Sequence, residues 1–205
     1  AQVAEVEARE ALQGFLQGAY RVTSPEGASP FAFKLHQFIS GPGKVFATLE
    51  APGVRSVTLD EQLYAPGRQE EGVRLYSCHF CRECGQEVHP VERDGKTGHF
   101  LPRDIEDRTF EDEDGCAAYG FLVPQGREGE TAYRYTGSPE DLPEGWLDPV
   151  KGKVKSHFKK YVPYPVLVSP TGQEGRGEAY WYLPGSFRFC PRCGAESGSK
   201  SRDVT

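Results

Sequence analysis

Two copies of a six-residue pattern, Phe-Cys-x-x-Cys-Gly, carry the clearest chemistry in this sequence. They occupy residues 80–85 (FCRECG) and 189–194 (FCPRCG). Two cysteines separated by two residues can present both sulfurs to one metal ion from a tight turn, and the following glycine tolerates the positive φ of such turns. We therefore predict one structural Zn²⁺ held by four thiolates. The predicted ligands are Cys81, Cys84, Cys190 and Cys193.

Two other uses of these cysteines stay open. A C-x-x-C pair can perform thiol redox chemistry or form disulfides, although a redox pair is expected before a helix in a βαβ unit, and neither copy has that setting. Four sulfur ligands also suit iron. Zinc is the interpretation that explains why the pattern occurs twice.

The remaining cysteines and the nearby histidines are predicted to be structural. Cys78 also stands two residues from Cys81, but that pair lacks the Phe and Gly that frame the other two pairs. We therefore interpret Cys78 as a packed thiol and Cys116 as a small buried apolar residue. Four thiolates already complete a zinc shell, so His79 and His89 are expected to be ordinary surface or core histidines.

The strongest local positive charge is the segment KGKVKSHFKKYVPY, residues 151–164, which has no acidic residue. Lysines there could follow a phosphate backbone while the aromatic rings stack on bases. The alternative is an exposed strand whose lysines protect a sheet edge. The candidate nucleic-acid-binding residues are Lys153, Lys155, Phe158, Lys159, Lys160 and Tyr161.

No catalytic centre is predicted. The sequence GKT at 95–97 resembles the end of a phosphate-binding loop, but Pro90 stands where that motif needs glycine, and Asp94-Gly95 is typical of a hairpin turn. The acidic run EDEDG at 111–115 lacks a preceding apolar strand, which favours a solvated loop. We therefore expect no catalytic residue in this chain.

The remaining pattern predicts helices first and strands afterwards. Apolar residues at helical spacing predict a helix over 3–19, ended near Gly18, and a second over 30–39. The rest contains short β-branched or aromatic runs bounded by Gly, Pro and Asp. Some of them, such as 44–50, alternate as strands with one solvated face do. Residues 138–149, rich in Pro and acid, are predicted to form a surface loop. The predicted strand segments are 44–50, 54–60, 73–80, 86–92, 116–124, 131–137, 164–170 and 178–189.

Composition excludes several classes of protein. The net charge is −6, so no overall positive field attracts nucleic acid, and any such contact must be local. No stretch is apolar enough to span a membrane and no signal peptide is present, which predicts a cytoplasmic protein without a membrane partner. The 205 residues contain no Met, which favours a piece of a longer polypeptide.

Three segments together resemble a known family. FAFKLHQFISGPGKVFATLE, FCRECGQE and GSFRFCPRCG look like the cysteine-rich insertion of large bacterial DEAD/DEAH-box helicases of superfamily 2. The resemblance covers residues 30–194. It matches the four cysteines named above to the zinc ligands of that family, and 36–38 to its HxF-type segment.

The resemblance implies an accessory role. The ATP-hydrolysing motifs of the motor are missing, so helicase activity would belong to a parent protein whose motor domains are the partners of this chain. We expect an α+β, β-rich fold with antiparallel strands, a helical N-terminal segment (1–43) packed on the body (44–205), and a Cys₄ zinc ribbon. The expected function is structural support or guidance of single-stranded DNA. A protein-docking module and a thiol oxidoreductase are the alternatives.

Overall fold

The structure is a computed structural model, and it describes residues 5–21, 44–107, 119–126 and 134–196. The chain divides into two compact units, Ala1–Pro42 and Gly43–Thr205. The second predicted helix (30–39), the acidic run 111–115 and Cys116 lie outside the described residues. None of the described helices has the length and apolar character needed to cross a membrane.

In the first unit, the predicted amphipathic helix is confirmed as α1, Glu5–Arg21. It continues through Gly18, where the sequence pattern predicted its end. A glycine inside a helix costs only about 1 kcal/mol relative to alanine, so the favourable residues on both sides can carry the helix past it. The packing of this segment on the body stays a prediction.

The second unit is a β-rich body, as predicted. Its described residues form eight strands and three short 3₁₀ helices. The strands are β1 Val45–Ala47, β2 Val57–Thr58, β3 Tyr76–Phe80, β4 Glu87–Arg93, β5 Phe100–Pro102, β6 Tyr119–Pro124, β7 Tyr164–Val168 and β8 Glu178–Pro184. The 3₁₀ helices are Pro139–Asp141, Glu144–Trp146 and Ser156–Tyr161.

These strands form one antiparallel sheet in the order β2-β1-β3-β4-β6-β8-β7, with β5 paired to β4. The predicted turn at Asp94 is confirmed, because it connects the paired strands β4 and β5. The Asp94 side chain accepts a hydrogen bond from the backbone N–H of Lys96 at 2.8 Å and another from the hydroxyl of Thr97 at 2.6 Å. The antiparallel class is therefore as the sequence predicted.

Two local predictions are wrong, and one strand was missed. β1 was expected to have one solvated face, but Phe46 on one face and Ala47 on the other are both buried. The reason is that Phe46 packs in a separate small cluster with Val73 and Leu75, from a later loop. The described part of 131–137 is not a strand, and β5 was not predicted.

The supposed surface loop at 138–149 also differs from the prediction. It contains two 3₁₀ helices and buries Leu142 and Trp146 in the core. These two apolar residues contribute to packing although their neighbours in sequence are acidic or proline.

Two clusters make up most of the core. One cluster lies in the second unit and includes Tyr76, Phe100, Leu122 and Tyr182. The other cluster is strongly aromatic and includes cysteines of both Phe-Cys-x-x-Cys-Gly copies. Its buried members are Cys81, Val88, Phe121, Val123, Tyr135, Leu142, Trp146, Trp181, Leu183, Phe187, Phe189 and Cys190. This cluster, called the aromatic cluster below, supports the candidate site.

Candidate metal centre

The first cysteine turn, residues 80–86, connects β3 to β4. The backbone N–H of Cys81 donates to the carbonyl of Gln86 at 2.9 Å, and the N–H of Gly85 donates back to the carbonyl of Cys81 at 2.8 Å. Gly85 has φ +71°, a conformation that residues with a side chain rarely adopt. The glycine of the motif is therefore required by the turn, as predicted.

The second cysteine turn, residues 189–195, follows β8 and repeats the same hydrogen bonds. The N–H of Cys190 donates to the carbonyl of Ala195 at 2.9 Å, and the N–H of Gly194 donates to the carbonyl of Cys190 at 2.8 Å. Gly194 has φ +73°. Because each turn curls its backbone in the same way, each can present two sulfurs in one direction.

The structure brings the two turns together, so that all four predicted ligands meet. The Sγ atoms of Cys81 and Cys193 are 3.9 Å apart, and those of Cys84 and Cys190 are 3.7 Å apart. All four sulfurs lie within 4.8 Å of one another. These cysteines therefore lie close enough to bind one metal ion. All of the described cysteines are free thiols rather than disulfides.

The sulfur environment combines burial with backbone hydrogen bonding. Cys81 and Cys190 are buried, whereas Cys84 and Cys193 are half-buried. Burial is the main reason why the pKa values of Cys84 and Cys190 are raised. Burial also acts to raise the pKa of Cys81, but hydrogen bonds from the backbone of Cys84 and Glu83 and from the thiols of Cys190 and Cys84 together outweigh it, and the net pKa is lowered. A bound cation would compensate several thiolates held this close together.

A segment that the motif does not reveal supports the second turn. The N–H groups of Arg134 and Tyr135 donate to the carbonyls of Arg192 (3.1 Å) and Pro191 (2.9 Å). The buried ring of Tyr135 contacts Phe189 edge-on, with ring centroids 5.7 Å apart. The sequence pattern of 131–137 predicted only a strand, and the two tyrosines in that run were the available signal.

The two phenylalanines of the motif have different surroundings. Phe189 is 1% exposed and also contacts Trp146 edge-on, with centroids 5.4 Å apart. Phe80 is 41% exposed. The second turn is thus anchored in the aromatic cluster through its Phe, whereas the first is anchored mainly by its position between two paired strands.

The lysine segment, residues 151–164, was alternatively interpreted as an exposed strand at a sheet edge, and the structure differs from that interpretation. Residues 156–161 form a 3₁₀ helix instead. Lys155 is half-buried and donates to the carbonyl of Gly145 at 2.7 Å. The exposed lysines of the segment are Lys151, Lys153, Lys159 and Lys160.

The aromatic side chains of this segment pack against the protein. Phe158 stacks in parallel on Trp146, with centroids 4.9 Å apart and an interplanar angle of 2°. The guanidinium of Arg188 lies 3.9 Å from the centroid of the Tyr161 ring. Both rings are therefore engaged in contacts within the chain, and nucleic-acid stacking on them stays a prediction.

Cys78 lies outside the four-sulfur group, as expected because the Cys78–Cys81 pair lacks the Phe and Gly that frame the other two pairs. Its Sγ is 3.4 Å from Oε1 of Glu87, a residue that no sequence motif marked. His89 is 1% exposed and belongs to the core, whereas His79 is half-buried. Burial lowers the pKa of both histidines.

Comparisons with protein-family models, with curated proteins and with solved structures found no match to this chain. The resemblance to a helicase insertion therefore stays a prediction that rests on the quoted residues. The four-cysteine geometry is independent of that resemblance.

Proposed function

We propose that this chain is a non-catalytic module whose two cysteine turns bind one structural zinc ion. The observation that carries the proposal is the size of the sulfur group. Zinc–thiolate bonds of about 2.3 Å in a tetrahedron require sulfurs about 3.8 Å apart. The two sulfur distances of 3.7 and 3.9 Å agree with that requirement.

A structural role is favoured over a catalytic one by the number of ligands. Catalytic zinc keeps a position open for water or substrate, whereas four thiolates fill the tetrahedral shell. A thiol oxidoreductase is less compatible with this arrangement, because its two reactive sulfurs must join in a bond of about 2.05 Å. Iron fits four sulfurs equally well, so the metal must be identified directly.

Metal analysis of the purified chain tests this proposal. X-ray absorption at the zinc edge should show an ion with four sulfur neighbours at about 2.3 Å. Cys84→Ser and Cys193→Ser should each remove that ion, because each leaves three sulfurs. Cys116→Ser is the matched control, since Cys116 is not one of the four predicted ligands. A wild-type chain without an all-sulfur zinc ion, or one containing iron instead, would contradict the proposal.

We further propose that the zinc-bound body guides single-stranded nucleic acid beside the motor domains of a superfamily 2 helicase. Support comes from the family resemblance and from the lysine segment, whose exposed side chains share one short stretch without acidic residues. Because Phe158 and Tyr161 already pack within the chain, this proposal relies on phosphate contacts by the lysines.

Two double variants with the same change in charge test the lysine contacts. Lys159→Ala with Lys160→Ala should weaken binding to all single-stranded sequences alike and reduce the salt slope by about 1.4, at about 0.7 per lost phosphate contact. Lys96→Ala with Arg176→Ala, at exposed positions elsewhere, should change both much less. Equal effects of the two variants would indicate only a loss of overall charge. No DNA binding by the wild-type chain would instead favour a protein-docking module.

A further inference from the structure

Three potential metal ligands converge beside the first cysteine turn, on a different set of residues. Cys78 comes from β3, and Glu87 and His89 come from β4. The register of these two strands pairs Phe80 with Glu87. Since alternate residues of a strand share a face, Cys78, Glu87 and His89 project from the same face of the sheet.

Their distances suit a single ion. Oε1 of Glu87 is 3.4 Å from Sγ of Cys78 and 3.5 Å from Nε2 of His89. The three donor atoms lie within 4.8 Å of one another. Bonds of about 2.3 Å to sulfur and about 2.0–2.1 Å to nitrogen and oxygen in a tetrahedron would give sulfur–oxygen and nitrogen–oxygen separations of about 3.6 and 3.3 Å.

The second nitrogen of His89 is held as in many metal sites. Nδ1 lies 3.1 Å from the carbonyl oxygen of Ser77, to which it can only donate. In the neutral ring this leaves Nε2 with a lone pair that faces the Glu87 carboxylate. Metal-binding histidines usually have their other nitrogen fixed in this way by a carbonyl or carboxylate.

A positive charge between these atoms would resolve an unfavourable contact. A lone pair on Nε2 and an ionised carboxylate oxygen are both acceptors, so they need a proton or a cation between them. Arg55 compensates the other carboxylate oxygen, with its NH1 atom 2.6 Å from Oε2 of Glu87.

We propose that Cys78, Glu87 and His89 form a second metal site, distinct from the four-cysteine centre, for a divalent ion of the zinc class. One thiolate, one imidazole nitrogen and one carboxylate oxygen are donors that such ions accept together. Three protein ligands leave a fourth position for water or a small ligand. Glu87 and Arg55 also line a cleft of about 290 Å³.

The same geometry does not suit a reactive cysteine. Burial, followed by the negative charge of Glu87, strongly raises the pKa of Cys78, so that its thiol keeps its proton at neutral pH. A metal ion would replace that proton on sulfur. Binding at this site should therefore release a proton and protect the thiol from alkylation.

Cobalt titration of the full chain, with zinc already bound at the four-cysteine centre, tests the proposal. One equivalent of Co²⁺ should bind without releasing zinc and should give a near-ultraviolet thiolate-to-cobalt band. Cys78→Ser and His89→Gln should each weaken this binding at least tenfold, because each leaves only two of the three ligands. His79→Gln, on the neighbouring position of β3, is the matched control and should bind like the wild type.

The wild-type chain provides a test that needs no variant and covers the case in which His89→Gln fails to fold. Alkylation of Cys78, followed by peptide mass spectrometry, should become at least tenfold slower when Co²⁺ is added. If no cobalt binds to the zinc-loaded chain, or if the alkylation rate is unchanged, the proposal is overturned. The all-sulfur zinc signal reports on the four-cysteine centre separately, so the failure of one site is distinguishable from the failure of the other.

Discussion

Phe189 and Phe80 hold equivalent positions in the two cysteine turns, so the sequence motif alone predicts equal importance. The structure predicts a large difference, because Phe189 is 1% exposed and Phe80 is 41% exposed. The perturbation that tests this is a pair of single substitutions, Phe189→Ala and Phe80→Ala, in the zinc-bound chain.

The expected magnitudes follow from burial. Removing a core phenylalanine ring costs about 3–5 kcal/mol of unfolding free energy, because the apolar contacts are lost and a cavity remains. Phe189 meets this condition, with its ring edge-on to Tyr135 and Trp146. Full burial of a phenylalanine is worth about 1.5–3 kcal/mol, so partly exposed Phe80 should cost about 1–2 kcal/mol and leave no sealed cavity.

Denaturant unfolding in excess zinc, followed by tryptophan fluorescence, measures both values. The two tryptophans of the chain, Trp146 and Trp181, lie in the aromatic cluster, so the signal reports on the region around the second turn. Phe189→Ala should be less stable than Phe80→Ala by roughly 2–3 kcal/mol. Equal losses, or a larger loss in Phe80→Ala, would refute the assignment of Phe189 as the anchor of the second turn.

Two further predictions concern the turns and their support. Gly85→Ala should destabilise the zinc-bound chain by about 1–2 kcal/mol, because Gly85 has a positive φ. Gly194→Ala should cost more in the same unfolding assay, because the new Cβ would also stand 2.5 Å from Cδ of Arg134. Equal costs would mean that Arg134 moves aside freely. Hydrogen bonds from the Thr136 hydroxyl and backbone N–H lower the pKa of Asp141. The contribution of Asp141 to stability is therefore present above the ordinary aspartate pKa and lost as pH falls through the lowered value. Asp141→Asn should make the unfolding free energy fall less steeply with pH on the acid side. An unchanged dependence on pH would contradict this.

The parts of the site that the sequence predicted are those encoded over a few residues. Cysteine spacing and the glycine after it determine the local turn, so Cys81, Cys84, Cys190 and Cys193 could be grouped from their sequence pattern alone. Alternation within short runs likewise predicted an antiparallel, β-rich body. Cysteine spacing and apolar alternation can be recognised in the sequence because each depends only on residues within one turn or one strand.

The contacts that the sequence did not reveal depend on how loops and strands come together in the fold. Trp146 lies in an acidic, proline-rich stretch and looked exposed, but Phe158 stacks on it and Phe189 contacts its edge. Glu87 was inconspicuous until the strand pairing placed it between Cys78 and His89. Neither contact has a periodic pattern, because each depends on which loops and strands the fold places together.

The separation of the two cysteine turns affects how the protein is made. Cys84 and Cys190 are 106 positions apart in the chain. At about 5–20 residues per second, a ribosome needs roughly 5–20 s to synthesise that stretch. Throughout this interval the first two thiols have emerged without their partners and are open to oxidation or to the wrong metal. A four-sulfur zinc shell can therefore be completed only after the second turn has been synthesised.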